Sequence, residues 1–460
     1  MQNNAVRVTL VLGLLLLVIF VPFVASGYSE LKLASAAESY PEIARHYWVA
    51  AQRIPWRGDA YEYAGHAYYR AEDYLQADAA YQRAFRRGAL SPDGWVAWGD
   101  IHYLLGDPVR ATEIWEQALL QKGASENLYS RLSQVYQENG DYSKAAEYLD
   151  RYVALHVEDA SAHYRLGLLL TLTDPNRALS ELINASQLDP QFDPAVETLR
   201  SALNLASLSD TSSGRLVLTG RGLGLVQEWE LARIVFESAV VADEKNAEAW
   251  AWLSEAKQQS AEDGSAEIQK AYELNPHSSV VRGLRGLYFQ RVGNFRDALI
   301  EFQAAARLDE KNPAWQVSIG ETYSKLGDLI SALAAYQTAT VLVPDDAGYW
   351  RLLALFCAQN NVNVKDVGVP AAQKAVVLTE NDADVLDLLG WLLLLDARYP
   401  EAEQTLLRAL EVDSKNASAH FHLGMLYLEQ ADRTSAYAHF VNARDLGSKD
   451  AQIILDQYFP

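Results

Sequence analysis

Residues 313–344 constrain the fold of this chain more than any other stretch, because small and aromatic residues recur in them at helical spacing. Counted from Pro313 as position 1, positions 8 and 20 are Gly320 and Ala332, which are small enough to let two helix backbones approach closely. Tyrosines at positions 11 and 24 would fill the seam between the helices, and a glycine at position 15 would make the turn. Pro344 would end the second helix, since proline cannot donate a backbone hydrogen bond. The pattern therefore predicts two short helices packed as a hairpin.

The same pattern recurs along most of the chain at near-constant spacing. Further repeats begin at Gly58, Pro92, Glu126, Ala160, Ser213, Ala247, Ser279, Ala347, Ala383 and Ala417, and one more precedes them. The motif resembles the tetratricopeptide repeat (TPR), a helix–turn–helix unit of about 34 residues. The resemblance implies an all-α TPR superhelical solenoid of about twelve repeats, preceded by one N-terminal hydrophobic helix.

Interruptions in the repeat pattern divide the chain into five predicted segments. We expect a signal anchor or signal peptide at residues 1–26, an N-terminal TPR array at 27–192, an extra helix with a polar loop at 193–212, a C-terminal TPR array at 213–448 and a capping helix at 449–460. The extra helix has an apolar face but no partner in the repeat scheme, so we expect a bend there. A capping helix is expected because a solenoid otherwise exposes the apolar face of its last repeat.

Residues 8–25 are almost wholly apolar, and Arg7 is the one basic side chain before them. As a helix they would span about 27 Å, close to the hydrocarbon thickness of a bilayer. Two interpretations stay open, a signal anchor kept as a transmembrane helix or a secretory signal cut after Ser26. We favour the anchor because the apolar run is longer than the usual core of a signal peptide. The sequence thus predicts a single-pass membrane protein with an extracytoplasmic repeat array, or a secreted or periplasmic protein if the segment is cleaved.

The composition argues against several classes of function. A net charge of −21 and a pI near 4.9 disfavour a nucleic-acid partner, because phosphates attract a basic surface. One cysteine, Cys357, cannot supply a disulfide framework or a thiolate metal site. The nine histidines show no helical metal-binding pair, and the repeats leave no room for a catalytic domain. We therefore expect no enzyme activity, no cofactor, no metal and no small-molecule ligand.

The TPR resemblance implies that protein or peptide segments bind on the concave wall built by the first helices, where positions 2, 5, 9 and 12 of each repeat point. The carboxylate clamp of this family needs lysine, arginine and asparagine at set positions. It is absent here, since position 9 of three repeats is Asp100, Gln134 or Glu321. The chain must therefore bind its partner in another way.

Apolar residues occupy concave positions in the last three repeats. They form a candidate groove that consists of Leu355, Trp391, Leu394, Phe421, Met425 and Leu428. If exposed, these side chains could hold an amphipathic helix or an extended segment. The alternative is that the superhelix or the tail residues Ile453, Ile454 and Phe459 cover them.

The sequence thus predicts a non-catalytic scaffold, membrane-tethered or exported, that mediates protein–protein interactions and complex assembly. An alternative of another class is an accessory subunit for export or assembly of a cell-envelope polymer, which would contact glycan through its aromatic side chains. Exposed tryptophan and tyrosine on the concave wall would favour glycan. A purely apolar groove would favour peptide.

Overall fold

The computed structural model describes residues 2–121, 123, 125–380 and 382–459, and the side chains of residues 2–17 lie outside the described part. Within these residues the chain forms 26 α-helices and no strand. Twelve helix pairs account for all but two of these helices, which confirms the predicted all-α TPR solenoid of about twelve repeats. The chain divides into two compact units, Met1–Leu203 and Asn204–Pro460.

The helices that begin in the first unit form five pairs and one single helix. They are α1 Gln2–Ala36, α2 Tyr40–Arg53, α3 Asp59–Arg70, α4 Tyr74–Arg86, α5 Pro92–Leu104, α6 Pro108–Leu119, α7 Asn127–Glu138, α8 Tyr142–Leu155, α9 Ala160–Leu170, α10 Pro175–Leu188 and α11 Asp193–Ser207. A 3₁₀ turn, Pro190–Phe192, precedes the single helix α11.

The second unit contains seven pairs and a last single helix. They are α12 Ser212–Leu225, α13 Trp229–Ala242, α14 Ala247–Gln259, α15 Ser265–Leu274, α16 Ser279–Arg291, α17 Phe295–Leu308, α18 Pro313–Leu326, α19 Leu329–Leu342, α20 Ala347–Asn360, α21 Val369–Leu378, α22 Ala383–Leu395, α23 Tyr399–Val412, α24 Ala417–Glu429, α25 Arg433–Asp445 and α26 Lys449–Tyr458. A π-helical turn, Val364–Gly368, joins α20 to α21.

In most of the pairs a glycine of the first helix faces a large residue of the second. In the pair α18–α19, a Cβ atom added to Gly320 would lie 2.9 Å from the ring of Tyr336, which is buried. The same relation joins Gly65 to Tyr81, Gly99 to Trp115, Gly220 to Phe236, Gly286 to Phe302, Gly390 to Leu406 and Gly424 to Phe440. Because protein interiors are close-packed, these contacts fix the distance between the two helices.

The turn inside a repeat is built from a glycine and a capping aspartate. Gly327 ends α18 with a φ of +80°, a conformation that side chains with a Cβ atom rarely adopt. Asp328 then caps α19, since its side chain accepts a hydrogen bond of 3.1 Å from the backbone N–H of Ser331. The sequence Gly-Asp thus ends one helix and starts the next within two residues.

The predicted membrane location is wrong. Within the described part of the chain, no helix combines the length and the apolar character that a membrane span requires. The prediction of a single-pass membrane protein with an extracytoplasmic array is therefore corrected, although the side chains of residues 8–17 of the expected span lie outside the described residues. Membrane attachment through the N-terminal helix is likewise not supported.

The physical reason is that the second half of α1 packs as the first helix of a repeat. The helix continues through Pro22 and residue 26 to Ala36, and it carries Glu30 and Lys32. Glu30 lies 2.6 Å from a ring nitrogen of His46 on α2 and accepts a hydrogen bond of 3.0 Å from Arg53. Gly27 approaches Ile54 so closely that an added Cβ atom would lie 2.6 Å from it. The apolar run therefore leads directly into a helix that contacts α2.

Replacing Gly286 by alanine tests the close approach within a pair. The new Cβ atom would lie 2.6 Å from the ring of Phe302, whose side chain is fully buried. We expect a loss of about 1–3 kcal/mol in unfolding free energy, because the helices must separate. Urea denaturation followed by circular dichroism measures the change. A double variant, Gly286→Ala with Phe302→Leu, should recover part of the loss, and additive losses would contradict this account.

Candidate partner-binding face

All six residues of the candidate groove lie on the first helices α20, α22 and α24. Each is partly buried, neither fully exposed nor enclosed. Leu355, Trp391 and Leu394 pack against the apolar core formed by α19 to α24. Phe421, Met425 and Leu428 pack against a second apolar cluster at the C-terminal end, which also contains Phe440 and Leu455. The structure thus places the six side chains on neighbouring helices but against two different clusters.

A buried polar pair fixes the most prominent aromatic residue of the groove. Trp391 stacks on the ring of His422, with ring centroids 5.0 Å apart and an interplanar angle of 14°. A ring nitrogen of His422 lies 2.7 Å from a carboxylate oxygen of Asp387, and both residues are buried. Because Asp387 and Trp391 belong to α22 and His422 to α24, this contact connects two successive first helices. This contact therefore holds the indole ring of Trp391 in one orientation.

The tail of the chain contributes to the C-terminal end of the groove. Ile454 and Phe459 pack against the same cluster as Phe421, and the rings of Phe459 and Phe440 lie 6.3 Å apart. Ile453, the third tail residue considered above, is 60% exposed and is not among the side chains packed against this cluster. The part around Trp391 has no such contact from the tail among the described residues.

Two pockets open on the first-helix faces, one in each unit. The pocket in the first unit has a volume of about 420 Å³ and lies between α3, α5 and α7, with Asp100 and Arg131 in its wall. The pocket in the second unit has about 430 Å³ and lies between α16, α18 and α20. Its wall includes Leu355, so this pocket borders the candidate groove. Glu321 is the acidic residue in its wall.

The two acidic residues differ in their ionic partners. Asp100 forms an ion pair with Arg131, while burial raises the pKa of the Asp100 carboxyl. Although Glu321 as a whole is exposed, burial of its carboxylate in the pocket raises its pKa, and Gln290 and Lys325 offset part of the rise. Within the described residues, Glu321 forms no ion pair with any lysine, arginine or histidine. Its charge is therefore less compensated than that of Asp100.

Among the described residues, a metal-ligand cluster and an exposed thiol are both absent. No three His, Cys, Asp or Glu side chains among them are arranged to hold a metal ion. Cys357 is fully buried, and this burial raises the pKa of its thiol to about 11. A thiol with so high a pKa is a poor nucleophile at neutral pH, because the thiolate is the reactive form. The first-helix faces hold apolar side chains together with charged residues such as Asp100 and Glu321.

The fold agrees with the comparison against known families. The tetratricopeptide repeat model matches residues 64–127, 131–191, 284–347 and 388–448, which together are just over half of the chain. The chain therefore belongs to the tetratricopeptide repeat family, whose members of this scaffold type bind proteins or peptides.

Curated relatives share the repeats at low identity. Superkiller protein 3 of Schizosaccharomyces pombe is 24% identical over 240 residues, which are 50% of this chain and 16% of that protein. Anaphase-promoting complex subunit 3 of the same organism is 24% identical over 174 residues, 37% of this chain and 26% of that protein. The chain thus matches about a quarter or less of the length of these relatives. A solved structure of the APC/C hetero-tetramer Cut9-Hcn1 covers 92% of this chain and 94% of its own at 14% identity, with a TM-score of 0.43.

Sequence reasoning missed the polar pairs between successive first helices. Asp100 and Arg131 are 31 residues apart, and Asp387 and His422 are 35 apart. Each separation is close to the length of one repeat, about 34 residues. This spacing is the sequence signal from which the two pairs could have been predicted. The acidic residue at position 9 was noted from the sequence, but its surroundings were not foreseeable.

Two histidines of the last pair give a pH dependence of stability. His420 and His439 approach within 3.0 Å between their Nδ1 atoms, and burial lowers the pKa of both, with the charge of His420 adding to the effect on His439. A pKa lower in the folded than in the unfolded state means that protonation favours unfolding. The contribution is therefore present above the unfolded pKa of about 6.5 and is lost as the pH falls below it.

We expect the melting temperature of the second unit to decrease as the pH is lowered from about 7.5 to about 5.5. Exposed carboxylates remain ionised over this range, so they do not cause the decrease. The variant His439→Gln should show a smaller fall, because one buried titrating group is gone. Scanning calorimetry at several pH values measures it. The matched control His277→Gln replaces an exposed histidine and should keep the fall of the parent. Equal pH dependence in parent and His439→Gln would contradict this assignment.

Proposed function

We propose that this TPR protein is a non-catalytic scaffold that binds segments of other proteins along the first-helix face of its second unit. The observation that supports this proposal is the row of partly buried apolar side chains on α20, α22 and α24, next to a pocket of about 430 Å³. Side chains that are half exposed on rigid helices lose little conformational freedom on binding. A preformed face of this kind suits an amphipathic helix or an extended segment.

Trp391 is the proposed anchor of the groove. Aromatic residues dominate the binding energy of protein interfaces when they are held in one orientation. The stacking on His422, which Asp387 holds in place, supplies that orientation. Phe421, on the neighbouring helix, would extend the apolar contact toward the C-terminal end. Leu355, Leu394, Met425 and Leu428 would complete the walls.

The glycan-binding alternative has less support. Glycan recognition uses exposed aromatic faces, and of the eleven tryptophans, all in the described part, Trp56 alone is exposed at 58%. The exposed tyrosines on first helices, Tyr28 on α1 and Tyr63 on α3, belong to the first unit and not to the candidate groove. Trp56 lies in the connection between α2 and α3, not on a first helix. We therefore propose protein segments as the ligand.

The groove is tested by selecting random peptides for binding to the chain and measuring their affinity by fluorescence anisotropy. The double variant Trp391→Ala with Phe421→Ala should weaken binding by about 100-fold, because truncating two aromatic anchors costs roughly 3 kcal/mol in total. Circular dichroism establishes that the variant is folded.

A matched control replaces exposed apolar side chains on second helices of the same unit. Val341 on α19 is 76% exposed and Leu407 on α23 is 41% exposed. The double variant Val341→Ala with Leu407→Ala should bind the peptides as the parent does. If the control weakens binding and the groove variant does not, the second-helix face is the binding surface and the proposal is wrong.

A further inference from the structure

The pockets of the two units are equivalent in the repeat pattern. In both, position 9 of the middle repeat is acidic, namely Asp100 or Glu321, and position 24 is a large aromatic residue, Trp115 or Tyr336. The same positions of the flanking first helices complete both walls. The first pocket therefore serves as an internal reference for the second.

The reference pocket contains its own cation. Arg131, at position 6 of the following repeat, directs its guanidinium at Asp100 and forms an ion pair with it. In the second unit, position 6 of the following repeat is Leu352, which lies in the pocket wall. The acid is thus retained while the arginine that would neutralise it is replaced by an apolar side chain.

Part of the pocket wall around Glu321 is apolar and therefore suits the methylene groups of an arginine side chain. Leu352, Leu355 and Phe356 are apolar and line the pocket beside the carboxylate. The methylene groups of arginine pack on such surfaces, while its planar guanidinium pairs with carboxylate oxygens through two parallel hydrogen bonds. Lys325 also lines the pocket, but it forms no ion pair with Glu321 within the described part of the chain.

We propose that the pocket around Glu321 binds an arginine side chain of the partner segment, with the guanidinium on the Glu321 carboxylate and the stem along Leu352 and Leu355. The proposal deepens the function proposed above and rests on it for the origin of the arginine. The net charge of −21 favours a basic ligand over an acidic one. An arginine here would also set the position of the segment beside Trp391, since Leu355 belongs to both the pocket and the groove.

Saturation-transfer NMR with N-acetyl-arginine methylamide tests the pocket directly, and N-acetyl-citrulline methylamide is the neutral probe of the same shape. We expect the parent chain to bind the arginine probe and not the citrulline probe. Glu321→Gln should weaken arginine binding by about tenfold, as expected when one partner of a hydrogen-bonded charge pair is removed. Leu352→Arg should also abolish it, because the new side chain would occupy the pocket as Arg131 does in the first unit.

The control Glu310→Gln removes an exposed acid from a different pocket wall, between α17 and α18, and should bind the probe as the parent does. The inference is overturned if the parent shows no preference for arginine, or if Glu321→Gln and the parent bind the probe equally. These variants leave Trp391 and Phe421 unchanged. A negative result with the arginine probe would therefore contradict the Glu321 pocket alone. The groove is tested separately, with selected peptides and the double variant Trp391→Ala with Phe421→Ala.

Discussion

The contact of a glycine with an aromatic or leucine side chain inside most of the helix pairs is the interaction on which both units depend. Gly320 against Tyr336 and Gly424 against Phe440 bring the two backbones close enough for the seam to exclude water. One such pair buries too little apolar surface to be stable alone, so it must pack on the next pair. The local contact therefore decides both the hairpin and the need for an array.

Because the seam uses only some positions of each repeat, the other positions of the first helices can vary in residue type and contact a partner. Positions 8, 20 and 24 are occupied by the seam, whereas positions 6, 9 and 12 face outward and vary between repeats. Asp100 with Arg131 in one unit, and Asp387 with His422 in the other, show two different polar solutions to the contact between successive first helices. At Glu321 the acid is present, but the position that corresponds to Arg131 is occupied by Leu352. Lys325 in the same wall forms no ion pair with Glu321 within the described residues. Recognition can therefore change without altering the packing of the repeat.

The sequence predicted the packing of pairs because that packing is local. Gly327 and Asp328 specify a turn through backbone conformation and capping, and neither depends on distant residues. The contact of Trp391 with His422 could not be predicted in the same way, since it depends on how far α22 and α24 approach. Likewise, the degree to which Phe459 covers the groove depends on the placement of α26. Whether the six groove residues bind a partner stays a prediction.

The N-terminal segment shows the limit of composition as a guide. The apolar run of residues 8–25 led to the expectation of a membrane span, because hydropathy alone cannot register that the same helix continues into a packed repeat. Glu30 and Gly27 were the sequence signals that this helix packs on another helix. Glu30 contacts His46 and Arg53 of α2, and Gly27 faces Ile54, as expected for residues at the contact between two helices. An apolar run is ambiguous until its neighbours in the chain are assigned.

The groove and the pocket beside it would contribute differently to recognition. Apolar anchors such as Trp391 supply affinity with little dependence on direction, since an amphipathic segment could lie on them in more than one register. A single carboxylate in a partly buried pocket adds little net affinity, because its desolvation offsets much of the attraction. It does penalise every register that leaves the charge unpaired, and charge complementarity acts mainly on specificity for this reason. A scaffold with Glu321 on α18 and Trp391 on α22, separated by the one first helix α20, could thus hold a segment tightly and in one position.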